Sequence, residues 1–356
     1  LLAPLGITPA LLTGRMSAAE RRMVATRLAS HEPLIVVGTH ALVQDATSFG
    51  KLGLVIVDEQ HRFGVEQRKA LQAKGATPDV LLMSATPIPR SLALTVYGDL
   101  DVSLLDEKPP GRVPIVTTMR PESARDRVMA FINAQLDAGR QAYIVYPVIE
   151  ESERTDLRAA TQMAEELAAG HFVRRRVGLL HGRLRSDEKD AVMRAFLARE
   201  LDVLVATTVI EVGIDVPNAS VMLIEHPERF GLSQLHQLRG RVGRGADDSY
   251  CILLGDVSPD SAERLDVFVA TDDGFEIARA DMRLRGMGDL FGERQSGLAS
   301  FRVADPLRDE ALIPIARAAA EHVLQADPTL SRPEHLALRE LLTVRYRRAL
   351  ELFRVG

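Results

Sequence analysis

Short unbroken runs of apolar residues, each ending abruptly in small or polar ones, recur along the 356-residue chain. Leu34-Ile-Val-Val37 leads into Gly38-Thr39-His40, Leu54-Val-Ile-Val57 into Asp58-Glu59, and Val80-Leu-Leu-Met83 into Ser84-Ala85-Thr86. Ile144-Val-Tyr146 follows, then Val177-Gly-Leu-Leu180 into His181-Gly182 and Val203-Leu-Val-Ala206 into Thr207-Thr208. Val221-Met-Leu-Ile224 and Tyr250-Cys-Ile-Leu-Leu254 complete the set. Runs without polar alternation predict strands covered on both faces. Between them, Ser17-Ala-Ala-Glu20 is a capping box that opens a helix to about Ala29. Ser186 is read as the cap of a helix with an apolar face of Val192, Met193, Phe196 and Leu197. Asp187 and Glu188 lie at its positive end. The β–α alternation predicts an α/β chain of doubly wound parallel sheets.

Three prolines in Lys108-Pro-Pro-Gly-Arg-Val-Pro114 forbid a continuous helix and make 109–114 a linker. It separates a first unit, 1–108, from a second, 115–272. Residues 273–300 are rich in glycine and arginine, and 301–356 read as amphipathic helices broken near Pro328 and Pro333.

Composition narrows this only slightly. With 46% hydrophobic and 26% charged residues, the chain is that of a globular protein. No apolar run spans a bilayer, and the single cysteine, Cys251, suits a reducing cytoplasmic compartment. A net charge of −5 leaves nucleic-acid contact to local arginine clusters, and 4% aromatics without tryptophan argue against base-stacking as the main binding device.

Ligands of open parallel sheets bind where loops and helix N-termini converge at the carboxyl ends of strands. One polar strand end means only a turn. Here five gather chemistry: Thr39-His40, Asp58-Glu59, Ser84 with Thr86, His181, and Thr207-Thr208. The Asp58 and Glu59 carboxylates leave one strand together but point to different sides. One can hold Mg²⁺ through water while the other orients and deprotonates an attacking water. The bland alternative is an acid pair at a helix N-terminus.

These residues carry a resemblance. Asp58-Glu-Gln-His61 with Ser84-Ala-Thr86 resembles motifs II and III of superfamily 2 helicases, and Gln237-Leu-Arg-Gly-Arg241-Val-Gly-Arg244 resembles their motif VI. Thr207-Thr208 through Gly213-Ile-Asp215 is similar to motif V, and Gly38-Thr-His40 to motif Ib. The longer strings Asp58-Glu-Gln-His-Arg-Phe-Gly-Val65, Met83-Ser-Ala-Thr-Pro-Ile-Pro-Arg90 and Tyr97-Gly-Asp-Leu-Asp-Val-Ser103 resemble the RecG family. The Mfd translocases share much of this wording, but typically carry glutamate where Gln60 stands.

The resemblance implies two RecA-like motor domains, a helical hairpin that couples them to translocation, and C-terminal helices. ATP and Mg²⁺ would be the cofactors, with Asp58 organising the metal through water and Glu59 the attacking water. Arg241 and Arg244 would neutralise charge on the γ-phosphoryl group, while His61, Ser84, Thr86, Gly213, Asp215 and Gln237 bind nucleotide or couple the sites. Thr39, His40, His181, Thr207 and Thr208 would hold phosphates of branched or forked DNA without reading bases; His181 could equally be a buried, satisfied histidine. Arg283, Arg285 and Gln295 fall in the coupling segment. The acid-free stretch around Arg174-Arg-Arg176, Arg183 and Arg185 is read equally as a DNA contact or a solvated face.

No G-x-x-x-x-G-K-[ST] string occurs; Asp45 stands where the first glycine before Gly50-Lys51 should be, and Leu52 follows. The expectation is therefore the C-terminal portion of a monomeric, branched-DNA helicase, cut within its first motor domain. A non-catalytic DNA-binding or regulatory module is the alternative.

Overall fold

The structure is a computed structural model. It describes residues 2–14, 16–30, 32–44, 47–59, 78–84, 101–105, 107, 113–147, 153–207, 215–245, 247–285, 309 and 311–345, with only the backbone of residues 3, 40, 153–160, 285 and 345. Two compact units are distinguished, one of residues 1–86 with 351–356 and one of 87–350.

The second unit is built on six parallel strands: β5 (Ile115–Arg120), β6 (Gln141–Val145), β7 (Val177–Leu180), β8 (Val203–Ala206), β9 (Ala219–Glu225) and β10 (Ser249–Leu254). Their spatial order is β5-β10-β9-β6-β8-β7, so chain order reverses beside β6 as in a doubly wound sheet. Alternate residues of each inner strand feed opposite cores. Tyr143, Val145, Leu204, Met222 and Cys251 pack beneath α4 (Ser186–Leu197), α5 (Leu232–Arg239), α6 (Pro259–Ala270) and α7 (Gly274–Arg285). Ala142, Ile144, Val205, Val221 and Leu223 pack beneath α2 (Arg125–Asp137) and α3 (Glu153–Ala169). Both faces are thus buried, as the unbroken apolar runs require.

Strand β5 has no such run. Its Ile-Val-Thr-Thr-Met-Arg pattern is only half-buried because it occupies a sheet edge and pairs with β10 alone. The predicted cap of α4 is also displaced. Arg185 is the N-cap, and its N–H donates to Glu188 Oε2 at 2.7 Å, which leaves Ser186 inside the first turn. A glutamate three residues on can satisfy the cap backbone whatever the capping side chain.

In the first unit, α1 (Ala18–Ala29) begins at Ser17 with the predicted capping box. Strands β1 (Ala10–Leu12) and β2 (Val36–Gly38) form one parallel pair, β3 (Leu54–Val57) and β4 (Asp79–Leu82) another. Val55 and Val57 pack with Val43, Leu52, Val80 and Leu82. The opposite face is open: Leu54 is 58% and Ile56 56% exposed. The expectation of strands covered on both faces therefore holds in the second unit and fails for these, where no described element lies over the outward side chains. Toward the C-terminus, α8 (Leu312–Ala326) and α9 (Leu336–Arg345) flank a break at Pro328 and Pro333.

Candidate functional site

The register of β3 on β4 pairs Val57 with Leu82, and Met83 N–H donates to the Val57 carbonyl at 2.8 Å. Asp58-Glu59 and Ser84 therefore leave the same sheet edge side by side. Asp58 and Ser84 are exposed and Glu59 half-buried. Glu59 N–H donates to Asp58 Oδ1 at 2.8 Å, and Glu59 has a φ of 52°. A non-glycine residue in that left-handed region is uncommon and strained, and such residues cluster at functional sites. Thr39 is exposed just beyond β2, where its N–H donates to the Leu12 carbonyl at 3.3 Å, and the backbone of His40 starts the following turn.

The second unit separates its candidates between two edges of one sheet. At the carboxyl edge, His181 follows β7 and Thr207 follows β8, the two joined by Thr207 N–H donating to the Leu180 carbonyl at 3.2 Å. Thr207 is buried. His181 is half-buried and its Nδ1 is enclosed without a partner among the described residues, so it is not the satisfied core histidine of the bland reading. Burial first, then the charges of Lys189 and Arg183, lowers its pKa below the usual histidine value.

At the amino edge, Asp215 precedes β9 and the loop after α5 precedes β10. These two segments bring Arg244 Nη1 to 3.5 Å from Asp215 Oδ1, while Arg244 Nε donates to the Gly240 carbonyl at 3.1 Å. Arg241 is half-buried in the same loop, and both arginines act electrostatically on Tyr143. Gln237 is half-buried on α5, and Arg283 is exposed on α7, whose buried residues are Ile277, Ala278 and Met282. His61, Thr86, Thr208, Gly213 and Gln295 lie outside the described residues, as do the side chains of His40 and Arg285.

Three arginines of the basic stretch form ion pairs. Arg175 is paired with Asp137, and Arg176 with Asp202, its Nη2 lying 2.6 Å from Oδ1. Arg185 bonds Glu188 at 3.2 Å. Asp137 and Asp202 lie 38 and 26 residues from their arginines, which inspection of 174–185 alone cannot see, whereas Glu188 is three residues from Arg185.

One residue of the arginine string escaped the sequence reading. Arg239 is 2% exposed, with Nη1 donating to the Phe268 and Thr271 carbonyls at 3.0 and 2.9 Å and its guanidinium 4.2 Å from the Phe268 ring centre. It ties α5 to the end of α6, just before α7. Its position one residue after Leu238, on the face of Leu232 and Leu235, was the available signal. Among the described residues no group of three or more His, Cys, Asp or Glu could hold a metal ion, and no helix is long and apolar enough to cross a membrane.

Comparison with known proteins matches three segments of the chain to families. Residues 3–95 match the DEAD/DEAH box helicase family and 124–246 the helicase conserved C-terminal domain. Residues 271–350 match the family described as ATP-dependent DNA helicase RecG, domain 3, C-terminal. The ATP-dependent DNA helicase RecG of Bacillus subtilis is 50% identical over 337 residues, 94% of this chain. The chain belongs to the RecG family. RecG of Escherichia coli K12 is likewise 50% identical, over 92% of the chain. These alignments take up only 49% and 48% of the two relatives, so the chain spans about half of a curated RecG. A solved structure of RecG bound to a three-way DNA junction superposes with a TM-score of 0.67 at 47% identity, covering 88% of this chain and 41% of that one. Yeast Dbp5 bound to RNA and ADP BeF3, at 17% identity and a TM-score of 0.51, shares the fold alone. The architecture is the α/β, RecA-like helicase fold.

Proposed function

We propose that this chain is the motor region of an ATP-driven helicase that translocates on branched or forked DNA and remodels it. The observation that carries the reading is the division of the six-stranded sheet. An arginine–aspartate cluster occupies its amino edge and a histidine–threonine pair its carboxyl edge, in a chain 47% identical to a RecG bound to a three-way junction. Residues 1–108 and 115–272 would be the two motor domains, and 273–300 the coupling segment.

Arg241 and Arg244 supply planar, permanently charged groups for the γ-phosphoryl oxygens. Glu59, held in its left-handed conformation, orients and deprotonates the attacking water. Asp58, whose Oδ1 is fixed by a backbone N–H, fits a Mg²⁺ ligand acting through water. The metal would neutralise phosphate charge there. Thr39, Thr207 and His181 grip phosphates, a sequence-independent contact suited to a translocase.

The test is DNA-stimulated ATP hydrolysis and unwinding of a three-way junction by a full-length RecG polypeptide carrying this motor. Glu59→Gln and Arg241→Ala should each lower turnover at least about a hundredfold. Turnover within twofold of the parent in both would overturn the assignment.

A further inference from the structure

An amide pair at the amino edge of the second sheet, Gln141 buried and Asn218 half-buried, has no part in the chemistry proposed so far. Gln141 opens β6 with a side chain only 2% exposed. A polar group there is costly unless it is fully bonded. Its Nε2 donates to the carbonyls of Phe196 at 2.6 Å and Leu201 at 2.7 Å, closing the turn after α4. Its Oε1 accepts from Asn218 Nδ2 at 3.0 Å, and its backbone N–H donates to the Asn218 carbonyl at 3.1 Å. Asn218 Nδ2 also reaches the Gly139 carbonyl at 3.1 Å. Asn218 is thus held through both main chain and side chain.

The segment it anchors is a seat for the arginine loop. A Cβ on Gly245 would lie 2.6 Å from the Pro217 carbonyl oxygen, so the loop rests directly on Pro217. Asp215 meets Arg244 at 3.5 Å on one side, and the Arg140–Asp247 ion pair closes the other. Residues 139–141, 215–218, 240–245 and 247 are therefore stitched together with Asn218 at the junction.

We infer that Gln141 and Asn218 are positioning residues for the loop carrying Arg241 and Arg244. Their amide bonds fix the seat on which that loop lies. The inference rests on the reading that these arginines act on the nucleotide, where a displacement of about 1 Å can cost a hundredfold in rate. An amide pair that only satisfied buried polar groups would stabilise the whole unit without governing the loop.

Asn218→Asp keeps the volume but turns an acceptor toward Gly139 O and Gln141 Oε1. Gly245→Ala lifts the loop from Pro217 while leaving both amides intact. Amide hydrogen exchange is followed in the 356-residue chain, comparing peptides over 240–248 with those over β9 and β10. Either variant should exchange about tenfold faster in 240–248 alone, Asn218→Asp through its lost amide hydrogen bonds and Gly245→Ala through the displaced contact with Pro217. Unchanged exchange, or acceleration in all three peptides together, overturns the inference. In full-length RecG, Asn218→Asp should lower kcat about tenfold at unchanged KM for ATP. An unaffected kcat, where Arg241→Ala abolishes turnover, also overturns it. If Arg241→Ala leaves turnover intact, the nucleotide reading fails instead, and the exchange result still decides what holds the loop.

Discussion

Arg244 and His181, two partly exposed basic side chains, bear on stability in different ways. The Arg244–Asp215 contact is long, and its side chains are 35% and 53% exposed, so solvent screens it. Asp215→Asn should therefore change the urea unfolding midpoint by the equivalent of less than about 1 kcal/mol, even if it changes where Arg244 points. His181 titrates in the opposite sense to a salt-bridged histidine. Its folded pKa is lowered, so the folded chain carries a neutral ring where the unfolded chain begins to protonate near 6.5. The unfolded state then binds more protons, and stability falls as the pH drops from that value through the folded pKa. His181→Asn should reduce the loss of stability between pH 7 and pH 5.5, read as a smaller difference between the two urea midpoints. Cys251, fully buried on β10, has its thiol pushed up to about 12 by burial. It should resist alkylation at pH 8 in the folded chain and react at once in denaturant, reporting opening of the second unit.

Elements differ chiefly in how many sides are covered. Phe196 on α4 is fully buried against Tyr143, ring centres 5.0 Å apart, so Phe196→Ala should destabilise the second unit by about 3–5 kcal/mol, measured by denaturant unfolding. The turn between α8 and α9 is held differently. Asp327 accepts from the backbone N–H groups of Ser331 and Arg332 and lies 3.0 Å from His335 Nδ1, and these bonds hold its carboxyl well below the usual range. That contribution is present above the ordinary aspartate pKa and is lost as pH falls through the depressed folded value. Sequence reading succeeded at this scale where an element is governed by its own residues. The α1 capping box is complete within Ser17–Glu20, and the inner strands announce themselves by unbroken apolar runs. It failed in two places: β5 was missed because an edge strand needs no such run, and Arg185 displaced Ser186 as a cap because Glu188, three residues after Arg185, accepts from the Arg185 backbone N–H.

For the whole molecule, the two units should differ in resistance. Residues 115–270 form a six-stranded sheet buried on both faces, whereas the described strands of the first unit are two isolated pairs with exposed Leu11, Val37, Leu54, Ile56 and Leu81. Two-stranded sheets are marginal by themselves, and open apolar faces invite association. Limited proteolysis should remove 1–86 first and leave a resistant core over 115–270; equal resistance of both would contradict this. The chain alone should also show no DNA-stimulated ATP hydrolysis, because no glycine-rich phosphate loop occurs in its sequence.

By itself the sequence determined the α/β class, the order of the motifs and the residue types available for chemistry. Those are properties of short strings, and strand burial, capping and motif wording are all written within about ten neighbouring residues. Only the tertiary structure decided where the chemistry stands. In a parallel sheet, residues that end one strand and residues that precede the next lie at opposite edges, so His181 and Thr207 part company with Asp215, Arg241 and Arg244 although all belong to one run of motifs. It also decided that Arg175 and Arg176 are spent on Asp137 and Asp202, that Arg239 is buried, and that Gln141 finds Asn218 77 residues away. Each of these is set by partners distant in the chain, and an electrostatic or hydrogen-bonding role has no local signature until folding supplies the partner.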